Sequence, residues 1–157
     1  MANFCSNMIA FEGNASAIAA IQTLFTMMAE KQEQHGNGQL PPFITEQEGY
    51  FFDIYCDEEN DGAFRYETRW SPNTTVVLQI AEHFRVNFTL DYEELGNGVY
   101  GKATYKDGVL TDTFLENEDF NSYEYDDEED AYHFEGETFE GDWEILETLL
   151  ERKIAKL

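Results

Sequence analysis

The sequence predicts an α+β domain in which two helices cover one face of an antiparallel sheet. Three observations predict it. Strand and helix patterns alternate in the order β-α-β-β-α-β over the first 92 residues, an Asp107-Gly108 pair separates two further strand patterns, and an apolar stripe at helical spacing closes the chain. With 157 residues, 42% of them apolar and 15% aromatic, the chain is sized for one hydrophobic core, and 1–157 is expected to be a single domain.

Residues 3–11 read as a strand whose apolar bulk is Phe4, Ile9 and Phe11. Gly13 ends it, and Asn14 is placed to cap a helix over 15–31 with Ile18, Ile21, Leu24, Phe25 and Met28 on one stripe. The stretch 32–48, with Gly36, Gly38, Pro41 and Pro42, reads as a polar, mobile loop. Tyr50 to Cys56 and Ala63 to Trp70 form a hairpin. In its second strand Phe64, Tyr66, Thr68 and Trp70 share one face, and Arg65, Glu67 and Arg69 the other. Ser71-Pro72 supplies a hydroxyl cap and a first-turn proline for a helix to Phe84 that buries Val76, Val77, Ile80 and Phe84.

Val86 to Tyr92 completes a split βαβ, ferredoxin-like core over 2–92, with one sheet face left open. Strands 98–106 and 109–115 add a C-terminal hairpin around Asp107-Gly108. An acidic segment, 116–140, leads to a C-terminal helix within 141–157. Its stripe is Trp143, Leu146, Leu149, Leu150 and Ile154, its cap is Asp142, and Arg152, Lys153 and Lys156 sit in its last turns, where the helix dipole favours cations.

Charge is the outlying property. The chain carries 33 acidic and 9 basic residues, a formal net charge of −24. Such a surface repels nucleic acid and anionic membranes and attracts basic protein surfaces and cations. The opening Met1-Ala2-Asn3-Phe4-Cys5 has no basic, apolar secretory pattern, and no run is long enough to span a bilayer, so a cytoplasmic location is expected. Cys5 and Cys56 are expected to be buried free thiols.

Motifs for nucleophilic catalysis, phosphate loops, dinucleotide binding and structural zinc are missing from the sequence, which predicts a non-enzymatic protein without a cofactor. Asp57-Glu58-Glu59-Asn60-Asp61-Gly62 has the spacing of a calcium loop at its start. Thr68 stands where that loop needs a bidentate Glu, so the stretch reads as a hairpin turn. His133 and Glu135 form a candidate pair for weak divalent-cation binding.

Residues 107–151 hold 18 acidic side chains and no Lys or Arg. The stretch admits two readings, a solvated acidic linker or a partner-binding surface. Phe114, Phe120, Tyr123, Tyr125, Tyr132, Phe134, Phe139 and Trp143 run through it, whereas disordered acidic tails are poor in aromatics. The candidate partner-binding carboxylates are Glu116, Glu118, Asp119, Glu124, Asp126, Asp127, Glu128, Glu129, Asp130, Glu135 and Glu137. A strand rises about 3.3 Å per residue, close to the roughly 3.4 Å phosphate spacing along one DNA strand. Two adjacent acidic segments could therefore imitate a nucleic-acid backbone.

The opening Asn3-Phe4-Cys5-Ser6-Asn7 resembles the Asn-Trp-Cys-x-Asn start of the YubB ferredoxin-like family of phage and plasmid proteins, with Phe4 in place of the family's Trp. Thr68-Arg69-Trp70-Ser71-Pro72, and then Val86-Asn87-Phe88, resemble that family's second half. The resemblance implies the fold and a mobile-element setting in a host cytoplasm, and no catalytic residues. The function expected is inhibition of a DNA-binding host defence protein by DNA mimicry, the partner being a basic surface, such as that of a nucleic-acid-binding enzyme. The alternatives are an interaction module using the open sheet face and a divalent-cation binder.

Overall fold

Strict alternation builds the central strand. β1 (Phe4–Glu12) buries Cys5, Asn7, Ile9 and Phe11 and exposes the residues between them, as a strand with one covered face must. In this computed structural model, which describes residues 3–157, β1 pairs antiparallel with β3 (Ala63–Arg69) on one side and β4 (Asn87–Glu94) on the other. Met1 and Ala2, the head of the expected domain, lie outside the described residues. Ile9 sits between Phe64 and Leu90, which puts all three on the core face.

With β2 (Phe52–Cys56), β5 (Val99–Lys106) and β6 (Val109–Phe114) the sheet order is β2-β3-β1-β4-β5-β6. The first four strands have the ferredoxin-like order, and the β5–β6 hairpin extends the sheet beyond β4. β6 is an edge strand, and its Val109, Leu110 and Phe114 are exposed.

α1 (Ala15–His35) and α2 (Thr74–Phe84) cover the core face. The Asn14 side chain accepts from the Ala17 N–H at 2.8 Å, as expected of a cap. Phe25 stacks on Phe64 with ring centroids 4.0 Å apart and meets Phe51 and Phe11 edge-on at 5.3 and 5.8 Å. The edge-on contacts match the aromatic quadrupole, and all three bury area.

The structure corrects several local expectations. α1 runs on through Gln32 to His35, because the chain first leaves right-handed geometry at Gly36, whose φ of 72° serves as a left-handed cap. The loop that follows is packed: Phe43 stacks on His83 at 3.8 Å, and the Thr45 N–H and hydroxyl both bond Gln79 Oε1. α2 starts at Thr74, with Asn73 and not Ser71 at the capping position. The Asn73 side chain is committed elsewhere, accepting from the Tyr66 hydroxyl and donating to the Gly49 carbonyl, each at 2.9 Å. Trp70 has a φ of 68° and swings out of the strand to 51% exposure, so it leaves the predicted core face. Phe84 is half-buried.

The second face is partly covered. α3 (Asn117–Phe120), the meander β7 (Glu124–Asp126), β8 (Ala131–Phe134) and β9 (Glu137–Phe139), and α4 (Trp143–Ala155) all belong to the C-terminal third. Leu115, Leu146 and Leu150 form a second buried cluster there, with Tyr100, Phe120 and Tyr123 against it. Trp143, predicted in the buried stripe, is 60% exposed, and Ile145 is fully buried instead. Among the described residues, no helix is long and apolar enough to cross a membrane.

Phe25 is fully buried and meets three other rings of the larger core. Phe25→Ala should lower unfolding stability by about 3–5 kcal/mol, read as a fall in the urea midpoint with little change of slope. A loss below about 1 kcal/mol would show that α1 does not depend on the stack.

Candidate partner-binding surface

The acidic segment is folded, and two cations from one helix hold it. In α4, Lys153 places its ammonium 2.6 Å from Asp119 and 3.6 Å from Glu116 and also donates to the Phe114 carbonyl at 3.3 Å. Beside it Arg152 makes a bidentate pair with Glu135, at 2.7 and 3.0 Å, and lies 5.6 Å over the Phe134 ring. Planar two-point contacts of this kind are the stronger class of ion pair. Burial pushes the Asp119 carboxyl up, but the Glu116 backbone N–H and the Lys153 ammonium outweigh it and hold the carboxyl below its ordinary value. The Arg152 guanidinium holds Glu135 below its own.

Aromatic rings complete the anchoring. Tyr132 lies 5.0 Å from Tyr125 and 6.0 Å from Tyr123. The Tyr123 hydroxyl donates to Asp142 at 3.2 Å, which takes Asp142 away from its expected capping role, and the Tyr125 hydroxyl donates to Asp130. Phe134 is buried, Phe120 and Phe139 are half-buried, and Phe114 and Tyr125 are exposed.

The eleven predicted carboxylates therefore fall into two groups. Glu116, Asp119 and Glu135 are tied to α4, Asp130 takes the Tyr125 hydroxyl, and Asp126 and Glu129 flank His133 at 3.4 and 3.3 Å. Glu118, Glu124, Asp127, Glu128 and Glu137 are exposed and make no ion pair or side-chain hydrogen bond among the described residues. The densest run, 126–130, is not a row along a strand. It curls into the turn between β7 and β8, where Asp126 Oδ1 accepts from the Glu128 and Glu129 N–H groups at 2.9 and 3.4 Å. The first of these contacts is the main cause holding the Asp126 carboxyl below its ordinary value.

His133 and Glu135 do not come together, because β8 ends at Phe134 and Glu135, with a φ of 51°, leaves the strand and turns to Arg152. The cation-ligand geometry that does form joins Asp126, Glu129 and His133, whose ligand atoms lie within 4.8 Å of one another. Asp57 makes a hairpin turn, its Oδ1 accepting from the Glu59 and Asn60 N–H groups at 2.9 and 3.3 Å. Cys5 and Cys56 are free thiols, Cys5 fully buried and Cys56 only half-buried. Burial pushes the Cys5 thiol up to about 11, so at neutral pH it stays protonated and weakly nucleophilic.

Sequence reading missed the carboxylates that flank the open sheet face. Glu147 and Glu151 of α4 line the groove against the main sheet and also the groove against β8 and β9. Glu93 and Asp91 face them from β4. Burial, followed by the fields of Glu147, Glu93, Asp91 and Glu151, pushes the Tyr100 phenol up to about 12. Four carboxylates from two elements thus line the same groove as Tyr100. The spacing of Glu144, Glu147 and Glu151 already marks one face of a helix.

Residues 51–135 match the family described as a ferredoxin-like domain in Api92-like protein. The match spans more than half of the chain, and the chain belongs to that family. It takes in Thr68 to Pro72 and Val86 to Phe88, while the opening Asn3 to Asn7 lies outside it. No curated protein and no solved structure matches.

If Lys153 is the clamp, Lys153→Met should speed amide exchange across 116–123 while leaving exchange in β1 unchanged. The contribution also has a definite pH sign. A carboxyl held below its unfolded value stabilises fully above about pH 4 and loses that effect as pH falls through its folded value. Wild-type protection of 116–123 should therefore fall off in acid below about pH 4. The Lys153→Met protein should show little of that dependence, and identical acid profiles would remove Lys153 from this role.

Proposed function

We propose that this member of the Api92-like ferredoxin-like family is a non-enzymatic binding protein of a mobile element, akin to the YubB proteins, that engages a basic surface of a host protein. The reading takes the bound surface to be one that otherwise holds nucleic acid, so that binding inhibits a DNA-binding defence protein by competition. One observation carries it. The acidic stretch is a folded unit, not a solvated tail, and six of its eleven candidate carboxylates, Glu116, Asp119, Asp126, Glu129, Asp130 and Glu135, have partners that hold them in place. Fixing them in advance lowers the ordering entropy lost on association. A net charge of −24 speeds encounter with a cationic surface and opposes direct contact with DNA.

The chemistry of the reactive side chains supports association over catalysis. Cys5 is held protonated by burial, and burial pushes the Tyr123 phenol up to about 12 with Asp142 adding to the effect. The arrangement replaces a strand-borne row of charges with a turn-borne cluster, Asp126 to Asp130, standing on the β7–β8 hairpin. Such a cluster can occupy a phosphate-binding cleft by density of charge without reproducing a regular backbone.

The test is competition. The protein should displace duplex DNA from a basic nuclease, and its affinity should fall at least about tenfold between low salt and roughly 0.3 M salt. Calorimetry or fluorescence anisotropy reads both quantities. Salt-independent binding, or binding that leaves DNA in place, would contradict the proposal.

A further inference from the structure

α4 rides above the open face of the main sheet and leaves a groove of about 820 Å³ beneath it. The floor is apolar in part, with Met8 from β1 and Tyr100 from β5, and Trp143 and Leu146 border it from the helix. The rims are acidic on both sides. Asp91 and Glu93 rise from β4, and Glu147 and Glu151 hang from α4. At the far end a bulge opposite Tyr66 gives Asp53 a φ of 49° and carries its carboxyl to Glu67 on the sheet face. The cations in the groove are Arg65 and Lys102, and Lys102 is taken up by Asp91 at 3.5 Å.

Geometry and charge together select the occupant. A second copy of the chain would bring another −24 charge to an acidic rim, and nucleic acid would be repelled likewise. A cationic protein segment suits both parts of the groove. Its Lys or Arg stems can lie on the ring and methionine surfaces while their charged heads reach the rim carboxylates, and the faces of Tyr100 and Trp143 attract cations as well.

We infer that the groove between α4 and the open sheet face is the docking seat for a Lys- or Arg-bearing segment of the protein partner, held between Glu147 and Glu151 above and Asp91 and Glu93 below. This rests on the acidic-binding reading and moves its centre from the β7–β8 turn to the groove.

The experiment uses the full chain in a Trp70→Phe background, so that Trp143 is the one reporting indole. The probe is a short synthetic peptide alternating Arg and Leu, and the control carries Glu in place of Arg. Two double variants are compared, Glu147→Gln with Glu151→Gln and Asp127→Asn with Glu128→Gln. Each removes two exposed charges, and melting curves check that both remain folded. The expected result is a change in Trp143 emission on adding the Arg peptide, with affinity weakened about tenfold by the groove pair and less than about threefold by the turn pair. Equal weakening by the two pairs would overturn the groove while leaving the acidic-binding reading intact. No binding of the Arg peptide to the parent protein would sink both.

Discussion

Two neighbouring side chains near the end of α4 make the acidic unit possible. From Asp107 to Glu151 the chain has 18 acidic residues and no Lys or Arg, and like charges at that density oppose compaction. Lys153 and Arg152 offset this from one helical turn, each reaching a different part of the segment. Exposed ion pairs taken singly contribute little. Here they matter because they act where repulsion is greatest, and because Leu146 and Leu150 fix the helix that carries them against Leu115. Hydrophobic packing places the helix, the helix places the cations, and the cations take up Glu116, Asp119 and Glu135.

That sequence of causes also explains how the surface is arranged. Glu116, Asp119 and Glu135 are consumed by contacts with α4, Asp127 and Glu128 are left exposed at the β7–β8 turn, and Glu147 and Glu151 line the grooves beside the helix. The small sheet has an economical build, since β7, β8 and β9 pair only in chain order. It is tied to the rest of the fold through Tyr123, Phe134 and Arg152 of α4. Around the larger core, polar contacts do similar positioning work. The Asn7 side chain donates to Thr68 Oγ1 at 2.9 Å, and Thr68 donates to the Ser71 carbonyl at 2.7 Å, pinning the turn that leads into α2.

Much of this was legible in the residues. Period-two and helical patterning marked every strand of the main sheet and three of the four helices, because each element buries one face and the pattern records which. Asn14 was legible as a cap because both side-chain bonds it makes among the described residues, to the Ala17 N–H and the Ser16 hydroxyl, are local. Ser71, Asp142 and Trp143 were misread for one reason: tertiary contacts redirected them. The Asn73–Tyr66 bond moved the helix start, Tyr123 took Asp142, and α4 rotated to bury Ile145. The candidate carboxylates were visible as a composition, but which of them pair internally depends on where α4 lies, and no local pattern encodes that. The groove was invisible for the same reason, since its two walls are about fifty residues apart in sequence.

The exposed apolar edge of β6 gives the charge a second meaning. Val109, Leu110 and Phe114 stand on an edge strand, a position that invites strand addition, and only at its Phe114 end does Lys153 reach the backbone carbonyl among the described residues. The net charge of −24 opposes the approach of a second copy to this edge and adds to the guard that Lys153 supplies at one end. If the acidic surface is the binding surface proposed above, a lineage that shed these charges to change partners would also uncover a self-adhesive margin.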